Sequence, residues 1–255
     1  MSSPSLLMLK GRRRNYRDHD VSKGKDQFSQ RKATDTDVDI SLAVLMTEHT
    51  LDGTIGKNHV EPQDEVPMAQ LSTLFDLISN REWDLLSKEL TPETLQAVGS
   101  GSLLHIALHF HAPLSIISQI TNGIHTSVSH RDAKGRLPLH VAITKGARPS
   151  IISHLITLNP IACTSKDNQG KTPLHRCFDD KVLHAIKPSQ LRDLVGTLIQ
   201  TSAGALIMED QNRRCPVELA IRSKAPMKTI LFMQVVKLEY MRQKYLTTYT
   251  STYQS

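Results

Sequence analysis

Apolar residues first fall at helical spacing at Leu71, Leu74, Phe75 and Ile78, and resume at Trp83, Leu85, Leu86 and Leu90 after a polar break at Ser79 and Asn80. The pattern predicts two short antiparallel helices, with Trp83, the only tryptophan, partly buried there. The stretch "TPETLQAV" then opens another helix, with Thr91 as N-cap, Pro92 at the first helical position and Glu93 at the positive end of the helix dipole. Thr94 stands where a reciprocal capping box needs Glu or Gln, so that box is incomplete.

Beyond about residue 99 the pattern becomes periodic. "SIISQI" at 115–120 and "SIISHLI" at 150–156 are 150 − 115 = 35 residues apart. "DAKGRLPLHVA" at 132–142 returns as "DNQGKTPLHRC" at 167–177 with the same offset, 175 − 140 = 35 between the histidines. Asp132, Gly135, Pro138, Leu139 and His140 thus recur as Asp167, Gly170, Pro173, Leu174 and His175. A blurred earlier copy, "SLLHIALHF", places His105 at 140 − 105 = 35 before His140. A blurred later one, "DQNRRCPVELA" at 210–220, has Glu218 in the histidine's place at 218 − 175 = 43, so the third unit carries extra residues, placed in "DDKVLHAIKPSQ" at 179–190. A fixed period of this size marks a stack of repeats, each a turn, a helix, a tight connection and a second helix.

These residues resemble the ankyrin repeat, whose hallmark is D-x-x-G-x-T-P-L-H-x-A. "DNQGKTPLHRC" carries Thr172 and the whole run through His175, with Cys177 for the family's alanine; "DAKGRLPLHVA" has Leu137 for the threonine. The resemblance implies an all-α, ankyrin-type solenoid of stacked helix-turn-helix repeats with short β-turn fingers, flanked by disordered tails. Gly135 and Gly170 supply the φ > 0 such a turn demands. Thr172 is expected to cap its helix through the hydroxyl, and Pro138, Pro173 and Pro216 suit the first helical turn. Leu139 and Leu174 are expected to face the neighbouring repeat. By the resemblance, His105, His140 and His175 are structural histidines that hydrogen-bond across repeats. Arg213, standing where glycine is expected, should strain the last turn or force a different one. With Glu218 it marks the fourth unit as a degenerate C-terminal cap.

The chain then divides into a polar tail over 1–66, a helical N-terminal cap over 67–98, repeats over 99–236, and a helix extension with a polar tail over 237–255, the helix fraying after about Tyr245. The first tail cannot bury enough apolar surface to order itself. Its one apolar island, "ISLAVLM" at 40–46, either docks on a partner as a short helix or stays exposed.

Composition adds little to the fold and something to the partner. A hydrophobic fraction of 39% with 4% aromatics suits a solenoid better than a single-core enzyme, and a net charge of +6 tilts toward acidic partners. Cys163, Cys177 and Cys215 have no paired spacing and read as reduced thiols. No apolar run is long enough for a membrane span. The chain is expected in the cytoplasm or nucleus, and the Ser- and Arg-rich stretch before Asp18 leaves an organelle transit peptide as the alternative.

Twelve histidines invite a metal reading, but three that repeat with the period would stack roughly 10 Å apart, too far to share a zinc at about 2 Å. His109 and His111 read as loop residues. No phosphate loop, nucleophile elbow or zinc-protease motif is present. The expectation is a monomeric protein that is not an enzyme, with no cofactor, no metal and no catalytic residue.

In arrays of this kind the turn tips and first helices line a concave surface. Transferred position by position, that surface carries Lys134, Arg136, Lys145, Lys171, Arg176, Arg214 and Arg222, a basic stripe interrupted by Asp179 and Asp180. Its expected partner is an acidic protein segment. Reversing Arg136, Lys171 and Arg214 to glutamate should then weaken capture without lowering the melting temperature. The alternative is nucleic-acid binding through the same stripe with "KGRRRNYR" at 10–17, though no recognition motif or stacking aromatics accompany it.

Overall fold

The computed structural model describes residues 68–98 and 102–253, and among these every regular element is helical. The tail with its island at 40–46, the basic run at 10–17 and the glycines at 99 and 101 lie outside the described residues. Helices α1 (Met68–Ser79) and α2 (Trp83–Glu89) form the expected pair, with Trp83 half-buried. Helix α3 (Pro92–Val98) starts as its cap residue dictates: the Thr94 N–H donates to Thr91 Oγ1 at 3.2 Å. The two threonine hydroxyls are 3.0 Å apart, so Thr94 supplies a side-chain partner where Glu or Gln was wanted.

Four units follow. The first pairs α4 (Ser102–His109) with α5 (Leu114–Gly123), and the second pairs α6 (Pro138–Thr144) with α7 (Pro149–Leu158). The third contains α8 (Pro173–Arg176), α9 (Asp180–Ala185) and α10 (Pro188–Thr201). The fourth pairs α11 (Pro216–Arg222) with α12 (Met227–Tyr253). One core runs through all of them, with Leu104, Leu139 and Leu174 from the first helices and Ile117, Leu155 and Val195 from the second fully buried. A 3-10 turn follows the second helix of the first three units, at His125–Ser129, Pro160–Thr164 and Ala203–Ile207. Helical periodicity gives no sign of these turns, because they end each helix rather than extend it.

The tight connections share one device. His111, Gly146 and Lys224 adopt positive φ of 62°, 67° and 55°. The alanine after each donates its N–H five residues back, Ala112 to Ala107 at 2.9 Å, Ala147 to Ala142 at 2.8 Å and Ala225 to Ala220 at 2.9 Å. This is a left-handed helix stop that satisfies the last carbonyls. Small Ala at the next position lets the second helix fold back at once.

The extra residues of the third unit lie between its two helices, as their placement at 179–190 implies: α8 is only one turn long and the insertion builds α9 in place of the shared connection. Two expectations need correction. Thr172 does not cap a backbone N–H; its hydroxyl donates to His175 Nδ1 at 2.8 Å, so the hydroxyl steadies the histidine. The last helix does not fray near Tyr245 but runs 253 − 245 = 8 residues further.

Arg213 keeps the glycine conformation, at φ 56° against 68° for Gly135 and 71° for Gly170. At the two earlier turns a Cβ would meet the next turn, 2.1 Å from Asn168 Oδ1 at Gly135 and 2.8 Å from the Gln211 nitrogen at Gly170. The last turn has no successor, so an arginine side chain fits there, but its left-handed backbone still costs about 1–2 kcal/mol. Arg213→Gly should therefore raise stability in urea denaturation by about 0.5 kcal/mol, after glycine's own entropic cost in the unfolded chain. No gain would mean the turn is relaxed with arginine in place.

Candidate functional site

Each turn is built around an aspartate. Oδ1 of Asp132, Asp167 and Asp210 accepts the N–H two residues on, from Lys134, Gln169 and Asn212 at 2.8–3.0 Å. The same oxygen accepts the N–H four residues on, from Arg136, Lys171 and Arg214 at 2.8–3.0 Å. The turns are also tied to one another: the Asn168 N–H donates to the Lys134 carbonyl at 3.0 Å and the Gln211 N–H to the Gln169 carbonyl at 3.1 Å. The finger tips therefore form one hydrogen-bonded row.

The motif histidines lock each turn to the unit before it. His105 Nε2 bonds the Arg136 carbonyl at 3.0 Å, His140 the Lys171 carbonyl at 3.1 Å and His175 the Arg214 carbonyl at 3.1 Å. Nδ1 of His140 accepts the Leu137 N–H at 3.2 Å, and Nδ1 of His175 the Thr172 N–H at 3.1 Å. A ring that accepts at Nδ1 must donate at Nε2, so both are neutral with the proton on Nε2. Burial drives the His140 pKa down to about 4 and lowers that of His175. Glu218 reproduces the local half of this arrangement, accepting the Cys215 N–H at 3.0 Å.

The expected basic stripe is divided by its chemistry. Arg136 pairs with Asp132 at 2.6 Å, Lys171 with Asp179 at 2.6 Å and Arg214 with Asp210 at 2.9 Å. Arg176 pairs with Asp167 and, at 3.0 Å, with Asp179. Burial opposes the charge on Asp132 and Asp210, yet hydrogen bonds from Arg136 and Arg214 outweigh it and hold both carboxyls below the ordinary range. Lys145 Nζ sits 3.3 Å from His109 Nε2. Lys134 and Arg222 are exposed and lie outside these ion pairs. The turn aspartates recur in the sequence, but their ion pairs do not repeat with them: Asp132 and Asp210 pair with the arginine four residues on, whereas Asp167, with Lys171 at that position, pairs with Arg176. The D-x-x-x-R spacing shared by 132–136 and 210–214 is the signal that points to the first two pairs.

Between the insertion and the start of α12 lies a cleft of about 420 Å3, lined by Leu183, Ile186, Pro188, Leu191 and Pro226. Cys163, Cys177 and Cys215 are buried and unpaired. Burial pushes the Cys163 thiol up to about 11 and that of Cys177 higher still, so both are protonated thiols at neutral pH. Among the described residues no group of three His, Cys, Asp or Glu is placed to hold a metal ion, and no helix is long and apolar enough to cross a membrane.

A family model described as "Ankyrin repeats (many copies)" matches residues 120–177. No curated protein matches the chain. Among solved structures, the crystal structure of EF0377, an ankyrin repeat protein, is similar with a TM-score of 0.50 and 14% identity, over 78% of this chain and 96% of that one.

Proposed function

This chain carries an ankyrin-repeat array, and we propose that it acts as a non-enzymatic capture module that holds an acidic protein segment along its turn tips and first helices. Ankyrin repeats are in general protein-protein interaction modules, and the family is typically non-enzymatic. The observation that carries the finer reading is the row of turns. Hydrogen bonds fix the tips at 132–136, 167–171 and 210–214 to one another, so exposed Lys134 stands on a frame that loses little entropy when a partner binds, and exposed Arg222 ends the first helix of the fourth unit.

The pairs described above change the test. Glutamate at 136, 171 or 214 would face Asp132, Asp179 or Asp210, so the triple reversal should lower the melting temperature and confound any loss of capture. Lys134→Glu with Arg222→Glu breaks no such pair. In affinity capture from nuclease-treated lysate by the full chain, this double variant should retain a partner about tenfold less well, the effect of roughly 1.4 kcal/mol, at an unchanged melting temperature. A partner retained equally by both proteins places the binding surface elsewhere. Retention seen in a parallel capture from untreated lysate and lost on nuclease treatment would point to nucleic acid instead.

A further inference from the structure

The outward face of the last helix breaks the pattern of its predecessors. Ala147 and Ala225 close the same connection in the second and fourth units, which sets a register of 225 − 147 = 78. In that register Leu231 and Val235 correspond to Ser153 and Thr157, and in the other units to Ser118 and Asn122, then Gly196 and Gln200. The earlier units are polar or small at both positions. The fourth is apolar, with Leu231 53% and Val235 65% exposed, and the stripe extends through Met227 at 67% and Leu238 at 71%. At 100° per residue these four side chains occupy one narrow strip of the helix.

Cations border the strip. Arg192 lies 5.4 Å over the ring of Phe232, Lys224 and Lys228 are exposed, against Asp193, and Arg242 is paired with Glu239 at 3.6 Å. A second copy of the chain would bring these cations against one another. The chain itself contains the complementary sequence. Its apolar island at 40–46 lies in a stretch, between Lys32 and Lys57, that has no lysine or arginine and holds Asp35, Asp37, Asp39, Glu48 and Asp52. From Met46 to Met68 there are 68 − 46 = 22 residues, an extended reach of about 70 Å. The stack of four units is about 40 Å long at roughly 10 Å per layer, so the connection is ample.

We propose that residues 40–46 dock in cis on the Met227–Leu231–Val235–Leu238 face of α12, with the acidic flanks set against Arg192, Lys224 and Lys228. The surface is the outer one, so this goes beyond the inner-face reading and stands or falls separately from it. A tethered segment has an effective concentration near 1 mM, so even an intrinsic Kd of order 0.1 mM leaves it mostly docked.

The test is hydrogen exchange on the full chain. Amides over 40–46 should exchange about tenfold more slowly than in the Leu231→Ser, Val235→Thr variant, which installs the residues used at these positions in the second unit. The protection should not change with protein concentration and should weaken at high salt. Exchange in the repeat core reports whether the variant remains folded, and Leu42→Ser with Leu45→Ser should remove the protection from the tail side without touching α12. Equal exchange in the wild-type chain and the α12 variant overturns the proposal. Protection that appears only with dimer formation in sedimentation also overturns it, in favour of a second copy.

Discussion

Replacing His140 with alanine is expected to cost about 3–5 kcal/mol of unfolding free energy. The side chain is fully buried and joins two units, accepting from the Leu137 N–H at 3.2 Å and bonding the Lys171 carbonyl at 3.1 Å. Alanine leaves both backbone groups without that partner, at about 1–3 kcal/mol each, and the vacated ring volume adds a cavity term of about 1 kcal/mol or more. Against a total stability of about 5–15 kcal/mol, that is enough to uncouple the array at its middle. Glu218 provides the contrast. It makes the same local bond to the Cys215 N–H but is exposed and has no following turn to hold, so Glu218→Ala should cost only about 1 kcal/mol. His140→Gln, which can keep the local bond and lose the bond to Lys171, should fall between them. Urea denaturation of the three variants decides the matter. If His140→Ala costs no more than Glu218→Ala, the bond between units contributes nothing and the period is held by apolar contacts alone.

The same two-part role explains what the sequence could reveal. A residue repeated every 35 positions, with its glycine, proline and leucine at fixed offsets, reports a contact that every layer must make. His105, His140 and His175 were therefore legible as structural, and the structure places each on the carbonyl four residues before the next unit's histidine position. The cations were harder. Arg136 and Arg214 are written in the sequence like any exposed arginine, and only the fold reveals that each closes on the aspartate of its own turn. Charge counts a residue whether or not it is already neutralised. Thr172 differs from its sequence expectation for a related reason: a threonine before proline suits an N-cap, but His175 Nδ1 competes for the hydroxyl. The helix stops at His111 and Lys224 left no glycine to read, and the length of α12 exceeds what its polar, threonine-rich end suggests.

Acid should weaken the fold well before its carboxylates are protonated. Unfolded, His140 titrates near the ordinary 6.5; folded, burial holds it down to about 4. Above pH 6.5 both states are neutral and the stability is fully present. As pH falls below 6.5 the unfolded chain takes the proton first, so stability declines and levels off near pH 4, where the folded ring protonates too. A gap of 6.5 − 4 = 2.5 units amounts to about 3 kcal/mol. His175, also lowered by burial, acts in the same direction. The depressed carboxyls of Asp132 and Asp210 act below their ordinary value of 3.8, so their loss falls in a separate window. Urea midpoints measured from pH 7.5 to 4.5 should therefore drop steeply for the wild-type chain. The decline should be shallower for His140→Gln, which starts lower but has one fewer group to titrate. Equal slopes would place His140 in a site that accepts the charged ring. Geometry argues against that outcome, because a proton on Nδ1 would meet the Leu137 N–H, two donors facing each other in a buried site with no acceptor between them.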